Sequence, residues 1–136
     1  MRLVTGYAVA IGWTIAFLAL AFAARFVFGC LTPFSLRQAS DRKDAAVGHV
    51  LRGLYIALAI ISFAAIQSTQ SLLWALTDAA VGIALVLVFF KIYDWIDPRD
   101  FERELAAGND MLGMELEGLF IIFAAVIVGA MNLLGA

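Results

Sequence analysis

The sequence predicts an all-α polytopic membrane protein, with four transmembrane helices arranged as a tandem parallel repeat of two-helix units. Three observations lead there. Of the 136 residues, 64% are hydrophobic and 15% charged, against about 45–50% apolar and about 25% charged in a soluble domain. The excess is gathered into four long apolar runs, each near the roughly 20 residues that a bilayer-spanning helix needs. The chain also repeats itself. Asp44–Ile56 reads DAAVGHVLRGLYI, and 65 positions later Asn109–Ile121 reads NDMLGMELEGLFI.

At that offset Gly48 falls on Gly113, Leu51 on Leu116, Gly53 on Gly118, Leu54 on Leu119 and Ile56 on Ile121. The same offset carries Leu31-Thr32-Pro33 onto Ile96-Asp97-Pro98. Two separate landmarks sharing one offset point to two units within a single transmembrane domain (residues 1–136), repeat 1 covering about 1–67 and repeat 2 about 68–136. Each unit is an apolar helix, a Pro-marked polar connection, and a second apolar helix opening on G-x-x-L-x-G-L-aromatic-Ile.

Span 1 covers Val4 to Phe28. It exceeds the ~7–15 residues of a signal-peptide core, so a membrane span is expected. Ala8, Gly12 and Ala16 recur every four residues and form a small-residue stripe, the kind of surface that lets another helix approach closely in lipid. The first connection, Gly29 to Lys43, is polar; Thr32-Pro33 reads as an N-cap followed by Pro at a first helical position, opening a short interfacial helix or an irregular loop. Span 2 covers Val47 to Gln67, with Asp44 placed to cap it. Only Gln67-Ser68-Thr69-Gln70-Ser71 separates it from span 3, Leu72 to Tyr93, so spans 2 and 3 are antiparallel neighbours. Trp74 marks one interface of span 3, and Tyr93 with Trp95 the other. The second connection, Asp94 to Asp110, is acidic; Asp97 is its expected cap, and the ligand spacing of a calcium loop is absent. Span 4 covers Met111 to Leu134, capped by Asn109.

Charge sets the expected orientation. Arg37, Arg42 and Lys43 lie in the first connection, and Lys91, Arg99 and Arg103 in or beside the second. The turn between spans 2 and 3 and the C-terminal end carry neither Lys nor Arg. The positive-inside rule then places both long connections in the cytoplasm and both termini outside, periplasmic in a bacterium, with Arg2 dissenting. The two units accordingly run parallel, about a pseudo-twofold axis along the membrane normal.

Net charge is −2, which gives no attraction for nucleic acid. The single Cys30 forms no internal disulfide. His49 is the only histidine, and no metal-ligand spacing, phosphate-binding glycine loop or nucleophile–base signature accompanies it. No catalytic, cofactor or metal site is expected. The informative residues are the ionisable ones inside the spans, because such groups are costly in lipid. Arg52 and Glu117 occupy the same repeat position with opposite charge, so they are expected at one depth and within reach of each other. Their pairing locks two helix ends together, or forms part of a proton- or ion-linked switch. His49 lies one turn before Arg52 on the same side. Glu115 points away from Glu117 and is expected at headgroup level, helping to cap the helix start. Asp78 sits about 10 Å into span 3 at 1.5 Å per residue. Its repeat equivalent is Trp13, so symmetry supplies no counter-charge; protonation, hydrogen bonds to Thr77 or Thr14, or a wet cavity are the alternatives.

The repeat landmarks resemble the family of small bacterial membrane proteins known as DUF350, also called UPF0719. The residues that carry the likeness are Leu31-Thr32-Pro33, Asp44-Ala45-Ala46-Val47-Gly48 and Gly53, then Ile96-Asp97-Pro98, Gly108-Asn109-Asp110 and Gly118. Glu115 and Glu117 stand where that family tends to small apolar residues. The resemblance implies a multi-pass protein of the bacterial inner membrane and assigns no active site. Together with the residues themselves it leads us to expect a non-enzymatic subunit that packs in the lipid bilayer, with itself as a homo-oligomer or with other membrane-protein subunits. Gly48, Gly53, Gly113 and Gly118 are the expected helix-packing positions beside the stripe of span 1. The rival expectation is a small oligomeric ion or proton conduit using Asp78 and the Arg52/Glu117 pair.

Overall fold

A computed structural model of the chain describes residues 1–32 and 43–134. Among these, helix α1 is Arg2–Leu31, α2 Ala45–Ser68, α3 Leu72–Ile96, the short α4 Phe101–Ala106, and α5 Asp110–Leu134. Four are long and apolar enough to cross a membrane; α4 is not among them. The short helix expected after Thr32 lies outside the described residues. Thr32 itself ends α1: its amide donates to the Phe28 carbonyl at 3.0 Å, and its hydroxyl to the same oxygen at 3.1 Å.

The helix boundaries follow local chemistry. Asp44 Oδ1 accepts from the amides of Ala46 and Val47 at 3.1 and 3.3 Å, which satisfies two of the four free N–H groups that open α2. Asn109 Oδ1 does the same for Leu112 at 3.1 Å. Asp97 is not the cap of the second connection's helix. It ends α3, and Asp100 caps α4 by accepting from the Arg103 amide at 3.2 Å. Arg99 has captured the Asp97 carboxylate, so the next acidic residue takes the role. α4 stops at Gly108, whose φ of +82° suits the left-handed position after a helix C-cap; the Asn109 amide reaches back to the Glu104 carbonyl at 3.0 Å. Removing a capping side chain by Asp44→Ala or Asn109→Ala is expected to cost about 1 kcal/mol, read as a lower thermal midpoint in detergent.

α2 and α5 form the central pair. They run parallel, with helix starts at matching heights, and their backbones nearly touch. A Cβ on Gly113 would stand 2.5 Å from the Ala46 carbonyl oxygen, and a Cβ on Gly53 2.6 Å from the Glu117 Cα. In lipid, water-driven burial does not hold helices together, and close backbone contact of this kind takes its place. α3 returns antiparallel after the Thr69–Ser71 turn and lies in the groove of the pair. Its Gly82 faces Ile61 of α2 and Ile127 and Met131 of α5. The end of the bundle where α2 and α5 begin is filled by rings. Phe28 of α1 meets Phe90 and Phe120 edge-on at 5.5 and 5.8 Å, and Phe90 stacks on Phe120 at 5.1 Å. Phe101 of α4 closes this cluster against Phe90 and Tyr93. These separations are those of favourable aromatic pairs.

The helix boundaries that flank the long connections in the two halves of the chain fall 65 residues apart. α1 and α3 both end one residue before the repeat-equivalent C-caps Thr32 and Asp97, and α2 and α5 begin after the equivalent caps Asp44 and Asn109. Their packing does not follow a twofold axis. α2 buries Ala57, Ile61 and Ala65, whereas the equivalent Ile122, Val126 and Ala130 of α5 are exposed. α5 buries Phe120 and Ala124, whereas the equivalent Tyr55 and Ala59 of α2 are exposed. The cause is that α3, tethered by a three-residue turn, fills one side of the α2/α5 pair. The C-terminal end of α1 joins it there, with Phe28 against both Phe90 and Phe120.

α1 is the outlying helix. Its inward face carries the buried Phe17, Ala24 and Phe28, and no residue before Phe17 is buried. At ~100° per residue, Ala10 and Thr14 continue that face outward, while the stripe of Ala8, Gly12 and Ala16 lies on the opposite side. A Cβ on Gly12 would meet nothing within 4 Å.

Candidate functional site

Every ionisable residue singled out in the spans except Asp78 lies toward the end of the bundle where α2 and α5 begin. Glu117 is the hub. Its side chain is 14% exposed, because the Gly53 crossing presses the Glu117 backbone against α2. Arg52 grips the carboxylate with two bonds, Nε to Oε1 at 2.7 Å and Nη2 to Oε2 at 2.9 Å. Such a two-pronged pair fixes orientation as well as neutralising charge. The Arg52 side chain remains 60% exposed, with its aliphatic stem on α2.

His49 completes the cluster. Its Nδ1 stands 2.9 Å from Glu117 Oε2 and 3.2 Å from Arg52 Nη2. The two contacts are alternatives as hydrogen bonds. A proton on Nδ1 donates to Glu117; a bare Nδ1 accepts from Arg52. The ring therefore has two ways of joining the pair, and a proton on Nδ1 selects between them. With His49 neutral the cluster carries no net charge, which suits a site within a membrane span.

Glu115 takes part in a second, separate cluster and does not cap α5. Its Oε1 accepts from the Tyr93 hydroxyl at 2.9 Å, and its Oε2 from Arg99 Nη1 at 3.0 Å. Arg99 also holds Asp97 through Nε at 2.9 Å and Nη2 at 2.7 Å, while its amide donates to Asp97 Oδ1 at 2.9 Å. The chain Asp97–Arg99–Glu115–Tyr93 thus fastens the second connection to α5 and to the end of α3. The four bonds from Arg99 have an electrostatic consequence. The Arg99 guanidinium, then its amide, pull the Asp97 carboxyl from 3.8 to about 2, and the two carboxylates hold Arg99 charged above its ordinary range. A carboxyl with a lowered folded-state pKa stabilises the fold fully above its ordinary value, and the contribution fades as pH falls through about 2. Asp97 is therefore expected to remain ionised at pH 3. Carboxyl-carbon NMR of the detergent-solubilised protein checks this, and in Arg99→Gln the titration should move back toward 3.8.

Asp78 stands apart, half-buried in the N-terminal half of α3. Thr14 and Thr77 do not serve it, because each hydroxyl donates to a carbonyl of its own helix, Ala10 and Leu73, at 2.8 Å. Among the described residues no hydrogen bond or ion pair reaches the Asp78 carboxylate. Between Asp78 and the Glu117 cluster the interior is lined by Leu54, Leu58, Ile61, Ile83 and Val86.

Of the expected packing glycines, Gly53 and Gly113 lie at the α2–α5 crossing. A Cβ on Gly48 or Gly118 would meet nothing within 4 Å. Two functional-looking contacts escaped sequence reasoning. The Arg99–Glu115 bridge joins residues 16 apart with no periodic signal. Lys91 Nζ donates to the Leu31 carbonyl at 3.1 Å and stands 3.6 Å from Asp94; its place in the last turns of a span was the only available clue, since cations favour helix C-termini.

Among the described residues no group of three or more His, Cys, Asp and Glu is gathered closely enough to hold a metal ion. No curated protein and no solved structure matches the chain. The family model described as Domain of Unknown Function (DUF350) matches residues 2–131. That match takes in α1, α2, α3, nearly all of α5 and both ion clusters, and the chain belongs to the DUF350 family.

Proposed function

We propose that this protein is a non-enzymatic assembly subunit of the bacterial inner membrane, built from a duplicated two-helix unit, with both long connections in the cytoplasm and both termini outside. It works by packing against other membrane-embedded chains. The observation that carries this reading is the outer half of α1, in which no residue before Phe17 is buried. A helix held only by its inner half offers its free length to a partner. The two ion clusters serve the same end. They lock α2 to α5 and the second connection to α5, so the surface presented for assembly is rigid. Gentle extraction at native expression level, with every copurifying chain identified and counted, tests the reading. A defined set of partners or a defined number of copies supports it, and a lone chain ends it.

A second reading rests on Asp78. A half-buried carboxylate in a span, with no protein partner among the described residues, suits proton or cation passage through an oligomer. Asp78→Asn separates the two. The conduit reading expects proton flux into liposomes to fall at least tenfold with assembly intact, whereas the assembly reading expects no flux from either protein.

A further inference from the structure

We propose that the groove between the C-terminal ends of α1 and α3 binds one phospholipid whose zwitterionic headgroup carries a primary ammonium, the phosphoethanolamine type. An acyl chain lies in the groove, the phosphate meets Lys91 and the ammonium meets Asp94. The site goes beyond the assembly reading and does not depend on it.

The groove has a volume of about 480 Å³. One wall is α3, where Ala84, Val88, Lys91 and Trp95 stand at i, i+4, i+7 and i+11 and so share a face. The other wall is the last turns of α1, at Val27 and Leu31. From Ala84 to Trp95 the α3 wall runs about 16 Å at 1.5 Å per residue, close to half of the roughly 30 Å hydrocarbon core of a bilayer. That is the reach of one acyl chain from headgroup to midplane. The lining also decides against a helix. Close helix approach in lipid needs small residues on the contact face, and Ala84 is the one small side chain among branched and long ones here. A flexible chain of methylenes fills such a furrow, whereas a helix would bridge over it.

The mouth of the groove carries both charges. Lys91 Nζ donates to the Leu31 carbonyl at 3.1 Å and stands 3.6 Å from Asp94 Oδ2. An ammonium has three donors, so one remains for a ligand oxygen, and the Lys91 side chain is 42% exposed. Trp95, 85% exposed, adds an indole N–H one turn further on, and such rings belong at headgroup depth. Leu31 and Lys91 also border a second, smaller cleft of about 60 Å³, whose other walls include Asp94, Asp100 and Glu102. The apolar groove thus opens past one cation into an acidic cleft. A lipid phosphate complements the cation, and a headgroup ammonium complements the carboxylates. A headgroup with phosphate alone would face those carboxylates unfavourably, and a trimethylammonium has no N–H to donate to them.

Quenching of Trp95 fluorescence by brominated lipid tests this in vesicles. Trp13→Phe and Trp74→Phe together leave Trp95 as the only tryptophan. The full chain is reconstituted into equal mixtures of dioleoyl phosphatidylethanolamine and dioleoyl phosphatidylcholine, with bromine on the chains of one lipid or of the other. The ethanolamine lipid should be the preferred neighbour of Trp95, with a relative affinity about threefold or more above the choline lipid, the size that one exposed ion pair supports. Asp94→Asn leaves the Lys91 bond to Leu31 in place and should erase that preference, while raising the affinity for dioleoyl phosphatidylglycerol. Glu102→Gln, at an exposed residue of the same cleft, should lower the preference in the same direction and carries the test if Asp94→Asn does not fold. Equal quenching by the two lipids in the parent chain overturns the proposal, as does a preference for phosphatidylglycerol over phosphatidylethanolamine there, or a preference that neither variant changes. Absence of quenching by any brominated lipid also overturns it, because protein then covers the groove.

Discussion

Gly113→Leu should leave almost no folded protein to extract. The atoms that a Cβ would strike are the carbonyl oxygen and Cα of Ala46, at 2.5 and 3.0 Å. These are backbone atoms of a helix, not the end of a flexible side chain, so α2 as a whole would have to retreat. Overfilling a packed core costs about 1–3 kcal/mol even where side chains can adjust. Here the helix pair that supports α3 and the ring cluster is forced apart, and the cost should exceed roughly 3 kcal/mol, a large part of the 5–15 kcal/mol typical of folded proteins. Gly53→Leu should behave alike, because its Cβ would meet the Glu117 Cα at 2.6 Å. Gly48→Leu and Gly118→Leu are the controls. Neither has a neighbour within 4 Å, so the single chain should keep its helicity and thermal midpoint, and any loss should appear in assembly alone. Size-exclusion recovery and thermal melting of the four variants, measured side by side, check the ordering.

The second large effect concerns Glu117. Glu117→Ala strands Arg52 and His49 together, removing both guanidinium bonds and the histidine contact in one step. Losing the carboxylate leaves a cation in a span with no anion to balance it, which costs more than the pair is worth. Stability should therefore fall furthest in Glu117→Ala, less in Arg52→Met, where the exposed guanidinium is lost and His49 still serves the carboxylate, and least in His49→Phe. The double variant Arg52→Met/Glu117→Met should recover most of the loss, because replacing both partners by apolar groups leaves nothing unpaired. Thermal melting of the four proteins in one detergent decides this. Additive losses in the double variant would contradict the pairing.

Much of this was readable before any coordinates. Four spans, the caps Asp44 and Asn109 and the partnership of Arg52 with Glu117 all follow from local spacing or from a single repeat offset. What could not be read was the choice of side. A repeat predicts two equivalent faces on α2 and α5, and covalent tethering decides which is filled. The three-residue turn after α2 commits α3 to one side, and α1 joined it there rather than lying opposite. Gly53 and Gly113 are packed because α2 and α5 cross at them, while Gly48 and Gly118 lie off that crossing, although each pair looks the same in sequence. Asp97 gives up the capping role for a similar reason. As a cap it competes with an arginine two residues on, and only the fold shows that Arg99, drawn in by Glu115 from α5, wins the carboxylate. Glu115 itself gave no sign of that role, because its partners Tyr93 and Arg99 stand 22 and 16 residues away.

The measurement that bears most directly on the assembly role is native mass spectrometry of the particle released from its own membrane at native expression level. The account predicts a defined mass containing two or more chains, with at least one copy of this protein and a fixed stoichiometry. A single chain carrying only lipid, across detergents mild enough to preserve known membrane complexes in the same sample, would contradict it.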